Sequence, residues 1–152
     1  MRRVLLSFAF VVAASFSVGG AASAATAEQE AAFINAYKTA FAAKDAAGLS
    51  ALLYAQGDPM AIEFYGQMMT AEMADGTLTS IEFKDLTPED VANAAQIQDM
   101  PSGKVKLQPK PYKKLVLKID TKTADTTASS NSEVFVADVG GKIVISVPAP
   151  AK

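Results

Sequence analysis

Two side chains in this sequence combine an acid–base group with an apolar neighbourhood: Tyr37 and Glu72. Tyr37 shares one face of a helix-patterned segment with Phe33, Ile34 and Phe41. A phenol there can donate a hydrogen bond into a pocket, or serve as a core aromatic with its hydroxyl at the rim. Glu72 falls within the apolar arc of a later helix, between Met68 and Tyr65 on the helical wheel. Burial would raise its carboxyl pKa and suit it to general acid–base work; a place near the helix end would let it reach solvent or a lysine. Tyr54, Tyr65 and Met69 complete a candidate pocket with these two. The methionines at 60, 68, 69 and 73 suit either an adaptable lining or plain core filling.

Much chemistry is excluded by what is missing. With no histidine and no cysteine, there can be no Ser-His-Asp or Cys-His nucleophile system and no zinc site of the nitrogen–sulfur kind. Haem ligation through those residues is excluded too. No loop clusters enough carboxylates for calcium, so neither metal nor cofactor is expected. Lys110, Lys113 and Lys114 with Tyr112 form a small basic patch, read as a solvated cluster protecting a sheet edge.

The elements that must position these residues fall into a helical half and a strand half. A first helix is predicted from Ala27 to Ala43, opened by a capping box of Thr26 and Gln29. Asp45 caps a short helix that turns Leu49, Leu52 and Leu53 inward. Asp58 and Pro59 open a third helix that runs to Ala74 and stops at Gly76 in the left-handed conformation. Apolar residues cover most of its circumference, with Glu63, Gln67 and Thr70 the polar stripe, so it should be largely buried. Strands follow: Leu78 to Phe83, Lys104 to Leu107, Tyr112 to Asp120, Glu133 to Val139 and Lys142 to Val147. A weaker helix runs from Thr87 to Ile97, and Met100 to Gly103 is a turn. Thr121 to Ser132 reads as a long loop, Gly140-Gly141 as a two-residue hairpin turn, and the tail from Pro148 as loose. Helices then antiparallel strands, with no linker between them, indicate one α+β domain whose curved sheet wraps the helices.

The start of the chain reads as a secretory signal peptide. Arg2 and Arg3 precede an apolar run from Val4 to Val18, and Ala22-Ser23-Ala24 is a small-x-small cleavage site. The apolar run is short for a membrane span, which needs ~20 residues. A second cleavage site is Ala25-Thr26-Ala27. The expected division is residues 1–24 as signal peptide, 25–148 as the domain and 149–152 as tail, with the domain periplasmic or secreted and free of the membrane. Removing Arg2 and Arg3 from the 14 basic residues leaves 12 against 16 acidic ones. So weakly acidic a chain has no electrostatic reason to bind nucleic acid or anionic lipid.

Ala36-Tyr37, Ala43-Lys44-Asp45 and Gly48 to Leu53 resemble the opening of the NTF2-like superfamily, the α+β cone that includes ketosteroid isomerases and SnoaL-like cyclases. Glu133 to Val136 and the Gly-Gly hairpin fit the same layout. The resemblance implies a conical, mostly apolar pocket between helices and sheet. In the isomerase branch it would give Tyr37 the role of donor to an oxyanion. The branch's general-base aspartate has Ala61 at its position here, and the short strand that carries the base is missing. The leading expectation is therefore an exported domain that holds a small apolar ligand or a protein partner. A homodimer through the sheet face is one form of partnership; an isomerase or dehydratase using Tyr37 and Glu72 is the alternative.

Overall fold

A computed structural model describes residues 25–122 and 124–151. The expected signal peptide lies outside the described residues. Three helices come first: α1 (Ala27–Ala42), α2 (Ala46–Ser50) and α3 (Pro59–Asp75). Strand β1 (Gly76–Asp85) and helix α4 (Pro88–Ala94) follow. Six more strands complete the chain: β2 (Ile97–Met100), β3 (Gly103–Gln108), β4 (Lys113–Lys122), β5 (Thr127–Val139), β6 (Lys142–Ile145) and β7 (Val147–Pro150).

Each helix begins where a side chain satisfies its free amides. Thr26 and Thr87 form capping boxes with Gln29 and Asp90. The Asp45 carboxylate accepts from the Gly48 amide. The Asp58 carboxylate accepts from Met60 and Ala61, with Pro59 at the first helical position. The α3 C-terminus is closed from outside. Lys44, left-handed at φ 56°, sends its ammonium to the carbonyls of Met73, Ala74 and Gly76. That puts a cation at the negative end of the helix dipole.

Among the described residues the named strands pair antiparallel, in a four-stranded sheet β1-β4-β5-β6 and a three-stranded sheet β2-β3-β7. Cross-strand partners share a face, so Ile81, Leu117, Phe83, Leu115 and Val134 line up toward the helices. Phe33 of α1 meets Phe83 with ring centroids 5.9 Å apart. The sequence 52–54 covers the free edge of β6: Ile145 donates to the Leu52 carbonyl at 2.8 Å and Tyr54 to the Ile145 carbonyl at 2.9 Å. A single cluster of buried side chains joins α1, α2, α3 and both sheets.

Five expectations need correction. The weak helix ends at Ala94, and Ile97–Met100 is a strand that hairpins onto β3 across Pro101-Ser102. The polar run 121–132 is mostly strand, because the β4–β5 register begun by Leu115 and Val134 continues to Lys122 and Thr127. Backbone pairing needs no apolar side chain once neighbouring residues have fixed the register. Residues 142–147 are not one strand: the chain leaves the first sheet at Ser146 and joins the second. The supposedly loose tail is β7, paired with β3, with Val147 and Ala149 buried. Gly76 is extended at φ −94°, not left-handed. Its lack of a side chain is still required, since a Cβ would sit 2.3 Å from the Glu72 carbonyl oxygen and 2.5 Å from Ile119.

Candidate functional site

The five predicted site residues separate into three places. Tyr37, on the inner face of α1, is 1% exposed and belongs to the core cluster. It stacks on Phe41, one turn later, with centroids 6.3 Å apart. Burial first, and the Glu72 charge second, hold its phenol well above the ordinary value. Glu72 is half-buried on α3, near enough for its charge to act on the Tyr37 phenol. Met69, 2% exposed, packs in the same cluster.

Tyr54 is elsewhere. It is half-buried, its hydroxyl donates to Gln56 Oε1 at 3.0 Å, and it lines a shallow cleft with Gln108 and Ala149. Tyr65 lies on a third surface, edge-on to Phe64 and lining a cleft with Val105, Phe135 and Pro148. Burial raises its phenol pKa.

The space where a cone would hold a ligand is occupied by the protein itself. Tyr37, Met69 and Met73 pack in one cluster with Leu115, Leu117 and Ile119, each at most 3% exposed. Helix α3 is also less buried than its wheel suggested. Ala61, Met69 and Met73 are inside, but Met60 and Phe64 stand out at 51% and 63% exposure.

The basic patch is reorganised by tertiary contacts. Lys113 pairs with Glu30 at 2.8 Å, and the Tyr112 hydroxyl donates to the same carboxylate at 3.2 Å. Burial first, then Glu30, raises the Tyr112 phenol. Lys114 pairs with Asp90 of α4 at 3.2 Å and Glu133 of β5 at 3.0 Å. Glu133 first, then Asp90, raises its ammonium pKa. Lys110 is left to face a cleft between α4 and β3, of about 370 Å³, lined also by Leu86, Val91, Ala94, Lys106 and Pro111. Sequence reasoning missed Lys106; its alternation with Val105 and Leu107 looked like an ordinary strand edge.

Among the described residues no group of three or more acidic, histidine or cysteine side chains could hold a metal. No described helix is long and apolar enough to cross a membrane. No protein-family model and no curated protein matches the chain. Among solved structures, the chain is similar in fold to an NTF-2 like protein of unknown function from Shewanella oneidensis MR-1, at 9% identity, over 80% of this chain and 95% of that one, with a TM-score of 0.42.

Proposed function

We propose that the chain is an exported binding domain of NTF2-like layout that works as a homodimer joined through the outer side of α3. The observation that carries this is that α3 is apolar on two sides. Its inner side is spent on the core, where Met69 and Met73 are buried. Its outer side presents Met60 and Phe64 four residues apart, with the half-buried Met68 one turn further. Exposed apolar surface of this kind gains free energy when a second surface covers it. The outer face of the four-stranded sheet is less suited to the task. It carries Glu82, Lys84, Lys114 and Lys118, and Glu133 beside Val116, which favours the helix over the sheet face.

A small apolar ligand inside the cone has no room beside the packed side chains of the interior. An isomerase or dehydratase would need substrate between Tyr37 and Glu72, where the same packing stands in the way. Export rests on Arg2, Arg3, the apolar run and the Ala22–Ala24 site. Cell fractionation followed by N-terminal sequencing tests it: protein in the periplasm beginning at Ala25 is expected, and protein confined to the cytoplasm with Met1 retained refutes export.

Sedimentation velocity on residues 25–152 tests the dimer. The native chain should dimerise with rising concentration and Phe64→Asp should stay monomeric. A native chain that is monomeric up to about 1 mM, or a Phe64→Asp chain that dimerises equally well, overturns the proposal.

A further inference from the structure

The cleft between α4 and β3 is separate from the core and from the outer side of α3. Its lining contains no residue of α1, α2 or α3. Its walls are apolar: Leu86 from the loop after β1, Val91 and Ala94 from α4, and Pro111 from the loop before β4. Lys106 and Lys110 are its charged lining groups, and no carboxylate lines it. Neither lysine's ammonium makes an ion pair or hydrogen bond with another described residue. Lys113 and Lys114, just beyond, are both held by carboxylates.

Val91 is 48% exposed at this site, though its side chain belongs to an apolar wall. Water against that wall is unfavourable, and an apolar chain would displace it. Two lysines without partners add the opposite requirement, a negative charge at the same place. A volume of about 370 Å³ lies within the range of small-molecule sites. One ligand chemistry meets all three conditions.

We propose that this cleft binds a free medium-chain carboxylate, with its tail on Leu86, Val91, Ala94 and Pro111 and its head group paired with Lys106 and Lys110. Lysine suits the head group because an ammonium accepts a carboxylate from many directions and needs no fixed fork. The site does not depend on α3 self-association.

Titration of residues 25–152 with decanoate, kept below its micelle concentration and followed by calorimetry and amide NMR, tests this. Saturable binding is expected, with shifts confined to the segments around Leu86–Ala95 and Lys106–Pro111. Decanol, with the same tail and no charge, should bind about tenfold more weakly. Lys106→Glu with Lys110→Glu should remove that tenfold preference and leave decanol binding and the circular dichroism spectrum unchanged. Phe64→Asp should bind decanoate as the native chain does, which separates this site from the dimer. The proposal is overturned by no decanoate binding at about 1 mM, by equal affinity for decanol, or by shifts in the α1–α3 interior. It is overturned equally by binding to phosphatidylglycerol vesicles in place of free decanoate.

Discussion

The interior beneath β4 and the cleft beside α4 are both apolar, and they are built to opposite ends. Beneath β4 the protein supplies both sides of every contact: Leu115 and Leu117 of the sheet meet side chains of the helices, and almost nothing is left exposed. Beside α4 it supplies only one side. Val91 remains open, and lysines stand where a closed core would admit no charge. Hydrophobic composition is thus no guide to which surface is free to bind. What decides is whether the chain has a second element to lay over the first.

Equivalent truncations in the two places give the widest separation. Leu115→Ala should lower stability by about 2–5 kcal/mol, because a fully buried leucine leaves a cavity as well as lost burial. Val91→Ala, at the open wall, should change it by no more than about 0.5 kcal/mol. Urea unfolding of both variants checks the pair. Similar midpoints would mean that the cleft is core and the comparison false.

The rim of the interior gives a smaller effect. Lys44→Met keeps the apolar stem but removes the ammonium from the α3 carbonyls, at a cost of about 0.3–1 kcal/mol. The loss should shrink in the native chain as salt is added, since screening weakens the native contact. A loss in stability equal at low and high salt would assign it to packing over Phe41 instead, where the ammonium lies 5.6 Å from the ring centroid.

The smallest effect at neutral pH, and the most selective, is Tyr37→Phe. The Tyr37 hydroxyl makes no hydrogen bond with a described residue, so its removal should be nearly neutral. Its folded phenol is held above the unfolded value of about 10. The stability this represents is complete below pH about 10 and is lost as pH rises from there toward the folded value. Tyr37→Phe should therefore lose less stability than the native chain between pH about 8 and about 11. Part of the alkaline loss should persist, because Tyr65 and Tyr112 are raised in the same direction. Parallel declines in the two proteins would show that Tyr37 titrates as if exposed.

Local signals in this sequence were legible because their causes are local. Thr26, Asp45, Asp58 and Thr87 each cap a helix through amides two or three residues away, a distance fixed by the helix itself. Gly140 and Gly141 both take positive φ, as a two-residue hairpin demands. The strands misread were those whose own residues carry little apolar alternation. Val147–Pro150 is a strand only because β3 lies beside it, and Thr127–Ser132 only because β4 continues past its buried half. The candidate site residues are spread over three places for a related reason. A helical wheel gives the direction of Tyr65 or Phe64, but not how much protein lies in that direction. Asp58 shows the limit from the other side. Its capping role was readable, yet the Ser102 hydroxyl, 44 positions on, is the largest influence holding its carboxyl below the usual range.

The change of sheet at Ser146 orders events in time as well as in space. A chain delivered N-terminus first can assemble α1, α2 and the β1–β4 pairing while β7 is still to come. Until β7 arrives, Val105 lacks its partner Pro150, and the Asp58 amide lacks the Pro148 carbonyl that receives it at 2.8 Å. The start of α3 and the β3 edge of the second sheet are therefore completed by the same four residues. Contacts spanning this much sequence close slowly, so β7 acts as a latch on the start of α3 and on β3.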